Sequence, residues 1–391
     1  MHHVSTPLSA SPADVPAKPN RLPFVDGIRG LAALVVVLDH IYFEVFGTEF
    51  NRHPPPAFEF LSVTMVLGHL SVAVFIVISG FVLTLPIVKY GMSFGPGGLK
   101  GFFARRSRRI LPPYYAALIL TLVLLLTVLR TPTDSHFDTV KLFRPIDVLS
   151  HFLLLQNVFG SGRINYVFWS IATEWHIYII FPLLLIGWRR WGGAGLAGAA
   201  LLIGYAIQLG MGTNRITRAY VNFVGLFAMG MFAAAYLLPQ IREGRRGLLS
   251  LVRLCAAIAS AAVIVPLYLL RSRNMLEWFP YLDLPTAVVA VWLLAEGSAR
   301  GGWIARWFGA WPLAQVGVFS YSLYLMHMPI LAALLYFTRW IGMEGMTQFT
   351  FLCTVGTVVM LAGTYGFFLL FERPFLSQKA PVRNPRPSAA P

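Results

Sequence analysis

The strongest constraint on this chain is a series of about ten apolar runs, each bounded by Gly, Pro or clustered charge. They fall near 28–46, 67–88, 110–129, 167–187, 194–211, 219–238, 249–270, 281–297, 313–338 and 348–371. Runs of that length cross a hydrocarbon core about 30 Å thick as helices, and in lipid only helices and closed barrels satisfy their own backbone groups. The expected class is therefore an all-α integral membrane protein, a bundle of about ten transmembrane helices. Composition agrees, with 57% hydrophobic and 12% charged residues among 391. A soluble domain with that balance would expose apolar surface on every side. The run at 281–297 is the least regular, because Asp283, Pro285 and Glu296 interrupt it. The apolar piece at 146–158 is too short to cross and is expected to pack at the interface or re-enter.

The net charge of +15 does not point to nucleic acid, because the basic residues alternate with apolar spans. With ten spans and a cytoplasmic N-terminus, about two-thirds of the Lys and Arg residues fall on the inner side. That bias predicts two cytoplasmic termini and places Arg29 near the cytoplasm, with His40 toward the outer side. Residues 1–23 are rich in Pro, Ser and Ala and read as a disordered cytoplasmic tail rather than a cleaved signal. Residues 377–391 read the same way, which leaves 24–376 as the membrane domain and the bundle as the place for chemistry. Cys255 and Cys353 sit inside apolar segments, which argues against a disulfide framework or a cysteine metal site. No zinc spacing, Walker loop, dinucleotide fingerprint or Gly-x-Ser-x-Gly elbow stands in a supporting context, and neither a metal nor a permanently bound cofactor is expected.

Ionisable groups inside apolar helices are costly and mark the candidate chemistry. The first run holds Arg29, Asp39, His40 and Glu44. Eleven residues of helix separate Arg29 from His40 by roughly 16 Å along the axis and only about 20° around it, so both look out from one face. One reading makes His40 a general base oriented by Asp39 or by Glu44, the latter in an i,i+4 relation. The plainer one makes His40 a hydrogen-bonded core residue and Arg29 a snorkelling anchor. At the third run, Arg105, Arg106, Arg108 and Arg109 are either topology signals or a phosphate clamp. Arg106 and Arg109 lie one turn apart and can grip one polyanion together, with Arg105 and Arg108 on the adjacent stripe. In the fourth run Ser170, Glu174 and Tyr178 recur every four residues and form a polar stripe. Gln156 and Asn157, just before it, are expected to add polar groups at the outer surface. In the ninth run Ser320, Tyr324 and His327 share a face next to the helix-bending Pro329, where His327 either contacts a ligand or caps freed carbonyls. Ser79-Gly80 in the second run reads as a close helix contact.

Taken together these motifs resemble the acyltransferase 3 family of membrane O-acyltransferases. The resemblance rests on Asp26-Gly27-Ile28-Arg29-Gly30-Leu31-Ala32-Ala33 with His40 eleven residues after Arg29, on Ser79-Gly80-Phe81, and on Arg106-x-x-Arg109-Ile110-x-Pro112. It continues through Trp169-Ser170-Ile171-Ala172-Thr173-Glu174, Ser320-Tyr321-Ser322-Leu323-Tyr324-Leu325-x-His327 and Glu372-Arg373-Pro374-Phe375, in the family's order over nearly the whole chain. It departs at Trp175-His176, where Glu-Gln is common, and at Met326 and Met328, where tryptophan is frequent. The resemblance implies transfer of an acyl group, commonly acetyl, from cytoplasmic acyl-CoA to a hydroxyl of a carbohydrate or glycolipid at the outer face of the inner membrane. It implies His40 as the essential histidine, Arg29 as its partner in donor binding, Arg106 and Arg109 as the basic pair, and Glu174 as the acidic residue.

The expected site is accordingly His40, Glu174 and Asp39 for catalysis. Arg29, Arg106, Arg109, Ser170, Tyr178, Tyr324 and His327 are expected to bind donor or acceptor, with acyl-CoA as co-substrate. The competing reading is a proton-coupled transporter of a lipid-linked or small anionic solute, with Asp39, His40 and Glu174 as a proton relay. Against it stands the lack of a fixed-period repeat or of similar inverted halves.

Overall fold

The computed structural model describes residues 22–52, 67–95, 97–130, 143–159, 164–211, 220–270, 275–299 and 302–376. Apart from Leu22 and Pro23, the tails expected at 1–23 and 377–391 lie outside the described residues. Among those residues, nine helices are long and apolar enough to cross a membrane. They are α1 (Pro23–Gly47), α2 (Gly68–Val88), α3 (Gly98–Leu126), α4 (Tyr166–Gly210), α5 (Phe223–Arg242), α6 (Arg246–Leu269), α7 (Trp278–Ser298), α8 (Ser320–Trp340) and α9 (Gly345–Phe375). The protein is a multi-pass membrane protein, and no strand occurs among the described residues.

The difference between nine helices and about ten runs lies in α4, which absorbs the runs 167–187 and 194–211. Its 45 residues would extend about 68 Å if straight, twice a hydrocarbon core. It is not straight, because Gly192 leaves helical geometry at φ 70°, ψ 174°. A Cβ on Gly187 would stand 2.9 Å from Leu196 Cδ1, nine residues further on, so the chain doubles back at Gly192. The positive φ there suits glycine, which carries no Cβ to clash. Two other boundaries move. α3 starts at Gly98, so its arginines sit on the helix itself, and the run at 313–338 divides into a short helix, Trp311–Val318, and α8.

The piece at 146–158 does not cross. It forms the short helix Pro145–Phe152 and the turn Gln156–Phe159. Gln156 and Asn157 are buried rather than at the outer surface. Gln156 Nε2 donates to Phe168 O at 3.0 Å, and Asn157 Nδ2 to Trp169 O at 2.7 Å and Thr173 Oγ1 at 2.9 Å, so both pin the start of α4. The irregular run is helical throughout, because its acids are compensated. Asp283 accepts from His69 Nε2 at 3.0 Å and Asn222 Nδ2 at 3.1 Å, and Glu296 accepts from Arg253 Nε at 2.9 Å and Nη2 at 2.8 Å.

Lipid tails are as apolar as leucine, so close packing must hold such helices together, and small residues permit it. A Cβ at Gly80 would overlap the Phe227 carbonyl of α5, and one at Gly230 would overlap the Val77 carbonyl of α2. The two backbones therefore touch reciprocally. On α1, side chains at Gly27 and Gly30 would overlap the carbonyls of Phe308 and Leu313, and one at Gly317 would overlap the Asp26 carbonyl. Gly198 has open space around its Cβ position. Gly80→Ala is expected to lower the unfolding free energy in detergent by about 1–3 kcal/mol through overpacking. Gly198→Ala should leave it level or raise it by up to ~1 kcal/mol through helix propensity. Equal effects of the two on the thermal midpoint would contradict this packing.

Candidate active site

Five helices meet around a cavity of about 840 Å³, its open mouth included. Its polar wall comprises Arg29 from α1, Ser79 from α2, Arg106 and Arg109 from α3, Ser170, Glu174 and Tyr178 from α4, and Ser320, Tyr321 and Tyr324 from α8. Arg29 is delivered there by the glycine contacts on either side of it, which draw α1 onto the 303–318 segment. On α3, Arg106 and Arg109 turn inward half-buried, while Arg105 and Arg108 remain exposed. The Ser170-Glu174-Tyr178 stripe faces the cavity over its whole length. Between these groups lie Phe75, Ile76, Val82 and Leu83, which give the cavity an apolar flank.

Glu174 is tightly held. Ser79 Oγ donates to its Oε1 at 2.6 Å, the Tyr178 hydroxyl donates to the same oxygen, and the two hydroxyls are 2.7 Å apart. Ser79 therefore has a polar role that its motif did not disclose, while its neighbour Gly80 makes the expected close contact. The cavity wall carries three guanidinium groups against one carboxylate, so its field is positive. A second carboxylate, Glu372, supports it from behind. Glu372 lies within electrostatic reach of Arg29 and Arg109, is buried, and accepts hydrogen bonds through Oε2 from the Ser322 amide at 3.1 Å and the Ser322 hydroxyl. In the sequence, Glu372 stands out only as part of the closing Glu-Arg-Pro-Phe motif. The available signal was an acidic residue one position after the last apolar run.

Asp39, His40 and His327 do not line this cavity. Tyr324 stands between the cavity and this group: it lines the cavity, and its hydroxyl accepts from Ser170 Oγ at 2.7 Å and donates to Val167 O at 2.9 Å. The Tyr324 ring is 5.6 Å from His327, and His40 is 5.0 Å from His327 and 5.5 Å from Tyr166, centroid to centroid. Arg29 and His40 thus share the interior face of α1, but only Arg29 lines the cavity. His40 Nδ1 donates to Val36 O at 2.7 Å, whereas Asp39 Oδ2 is 3.8 Å away. Asp39 Oδ1 accepts from the Gly68 amide at 3.3 Å and so caps the start of α2. His327 Nδ1 donates to Tyr324 O at 2.7 Å and Leu323 O at 3.1 Å, not to the Leu325 carbonyl that Pro329 leaves without its usual donor. No group of three or more His, Cys, Asp or Glu among the described residues is placed to hold a metal ion, and Cys255 and Cys353 are free.

The acyltransferase 3 family, described as an acyltransferase domain, matches residues 22–368. Peptidoglycan O-acetyltransferase OatA of Listeria monocytogenes is 23% identical over 344 residues, 79% of this chain and 49% of that protein. A putative O-acetyltransferase of Staphylococcus aureus strain COL is 23% identical over 404 residues, 95% of this chain and 60% of that protein. Acyltransferase MdmB of Streptomyces mycarofaciens is 23% identical over 342 residues, 81% of each. The chain therefore spans about half to three-fifths of the length of the first two. No solved structure matches it.

The Ser79-Glu174-Tyr178 triangle makes a stability prediction. Removing both donors with Ser79→Ala and Tyr178→Phe strands a carboxylate in the bundle and is expected to cost about 1–3 kcal/mol. Adding Glu174→Gln should then recover part of the loss in the same thermal unfolding assay. No recovery would mean that the two hydroxyls act independently of Glu174.

Proposed function

The chain belongs to the acyltransferase 3 family, and from that premise we propose that it is a membrane O-acyltransferase. It moves an acyl group, acetyl being the common case, from cytoplasmic acyl-CoA to a hydroxyl of a carbohydrate or glycolipid at the outer face of the inner membrane. The observation that carries this reading is the convergence of Arg29, Arg106 and Arg109 on one apolar-flanked cavity. Guanidinium forks match phosphate oxygens in pairs, and a donor with several phosphates and a flexible arm uses both the charge and the apolar flank. The positive-inside bias supports a cytoplasmic position for this cavity and an outer one for His40. The names of the relatives, two O-acetyltransferases and an acyltransferase, are in keeping with the same chemistry.

In this reading the donor's phosphates dock at the arginines and its thioester end extends past Tyr324 toward His40. The acceptor hydroxyl approaches His40 from the other side. The Val36 carbonyl holds the Nδ1 proton of His40, so the neutral ring presents Nε2 as its basic nitrogen. The hydroxyl oxygen attacks the thioester carbon while its proton passes to Nε2. The carbon–sulfur bond then breaks and the CoA thiolate leaves. General-base help of this kind accelerates a reaction by ~10²–10⁴.

The roles separate kinetically. Arg106→Ala with Arg109→Ala is expected to raise KM for acetyl-CoA by about tenfold or more, since each lost charge-assisted hydrogen bond is worth ~1.5–3 kcal/mol. His40→Ala should lower kcat by ~10²–10⁴ and leave acetyl-CoA binding intact. Purified protein with labelled acetyl-CoA measures both, and full acyl transfer by His40→Ala would overturn the reading.

A further inference from the structure

His40 and His327 each commit their Nδ1 proton to a carbonyl of their own helix, Val36 in one case and Tyr324 with Leu323 in the other. Each neutral ring then has its lone pair at Nε2 and can only accept a hydrogen bond there. The rings stand 5.0 Å apart, inclined at 65°. His327 is fully buried, and its Nε2 has no hydrogen-bond partner among the described residues. A buried acceptor left without a donor is unfavourable, and the exceptions in native proteins need a reason. His40 retains 13% of its side-chain surface, which gives an approach to the pair.

Two neighbouring rings that each offer only an acceptor at Nε2, their centroids 5.0 Å apart, are poorly matched to a lone hydroxyl, whose single proton can go to one of them. They suit two hydroxyls on adjacent carbons. We propose that His327 Nε2 binds a second hydroxyl of the acceptor, next to the one that His40 deprotonates, so that the substrate class is a vicinal diol of the kind a pyranose ring carries. This rests on the acyltransferase reading and adds to it the feature that selects the acceptor. The hydroxyl on His327 keeps its proton and fixes the ring. Its neighbour forms the new carbon–oxygen bond, gives its proton to His40 Nε2 and displaces the CoA thiolate. The proton then leaves His40 for that thiolate or for water. His327 touches substrate without taking part in bond exchange.

The test uses the full chain in nanodiscs with labelled acetyl-CoA, a panel of pyranosides, and for each acylated one its deoxy counterpart lacking the neighbouring hydroxyl. Dodecanol serves as a monohydric acceptor. Wild type is expected to lose about 10–100-fold in kcat/KM on the deoxy compound, mainly through KM, as sites built around a hydroxyl reject its absence. His327→Leu should bring the diol down to the rate of its deoxy counterpart. His327→Asn, whose amide oxygen accepts and whose size-exclusion profile checks folding, should restore part of the discrimination. Equal rates on diol and deoxy compound in wild type, or discrimination that survives His327→Leu, would overturn the inference. So would acylation of dodecanol in preference to every pyranoside, which leaves the acyltransferase reading standing. No transfer to any acceptor would overturn the reading on which the inference rests.

Discussion

Charge at membrane depth has to be compensated within the bundle, and the architecture around the cavity follows from that requirement. Isolated ions in hydrocarbon cost several kcal/mol or more, so each must meet a partner or water. Here the guanidinium groups of Arg29, Arg106 and Arg109 are partly offset by Glu174 in the cavity wall and Glu372 behind it. Each carboxylate is in turn held by a hydroxyl from another helix, Ser79 of α2 for Glu174 and Ser322 of α8 for Glu372. One electrostatic network thus ties together α1, α2, α3, α4, α8 and α9. The same rule governs Asp283 with His69 and Asn222, and Glu296 with Arg253, away from the cavity.

That network needs the helices close enough for short side chains to meet, which is a matter of backbone packing. The reciprocal contact of Gly80 and Gly230 brings α2 onto α5, and Gly27, Gly30 and Gly317 bring α1 onto the segment before α8. Arg29 lies between two of those glycines. The Asp-Gly-Ile-Arg-Gly sequence is therefore a charged side chain mounted on a backbone contact, and the contact sets where the charge points.

Features carried by helical periodicity were legible in the sequence. The Ser170-Glu174-Tyr178 stripe and the inward pair Arg106 and Arg109 follow from spacing within one helix, and both face one cavity. Partners supplied by distant segments were not legible. Ser79 and Glu174 are 95 residues apart, and Glu372 and Ser322 are 50 apart, so no local pattern links them. The turn at Gly192 was hidden for a related reason. Two apolar runs close by doubling back on glycine look, in sequence, like spans with a conventional loop between them. The placement of Arg29 and His40 shows what periodicity leaves open. It put both on one face, but only Arg29 lines the cavity, while His40 packs against His327 and Tyr166.

That separation is central to the functional account: Arg29, Arg106 and Arg109 line the basic cavity, and the His40–His327 pair lies outside its lining. Donor and acceptor are then expected to act from opposite faces of the membrane. The most direct test is acyl transfer in sealed vesicles of known orientation, with labelled acetyl-CoA supplied only outside or only inside. The account predicts transfer only when acetyl-CoA is on the side of Arg106 and Arg109, with the acylated product on the opposite side. Transfer that requires donor and acceptor on the same side would contradict it.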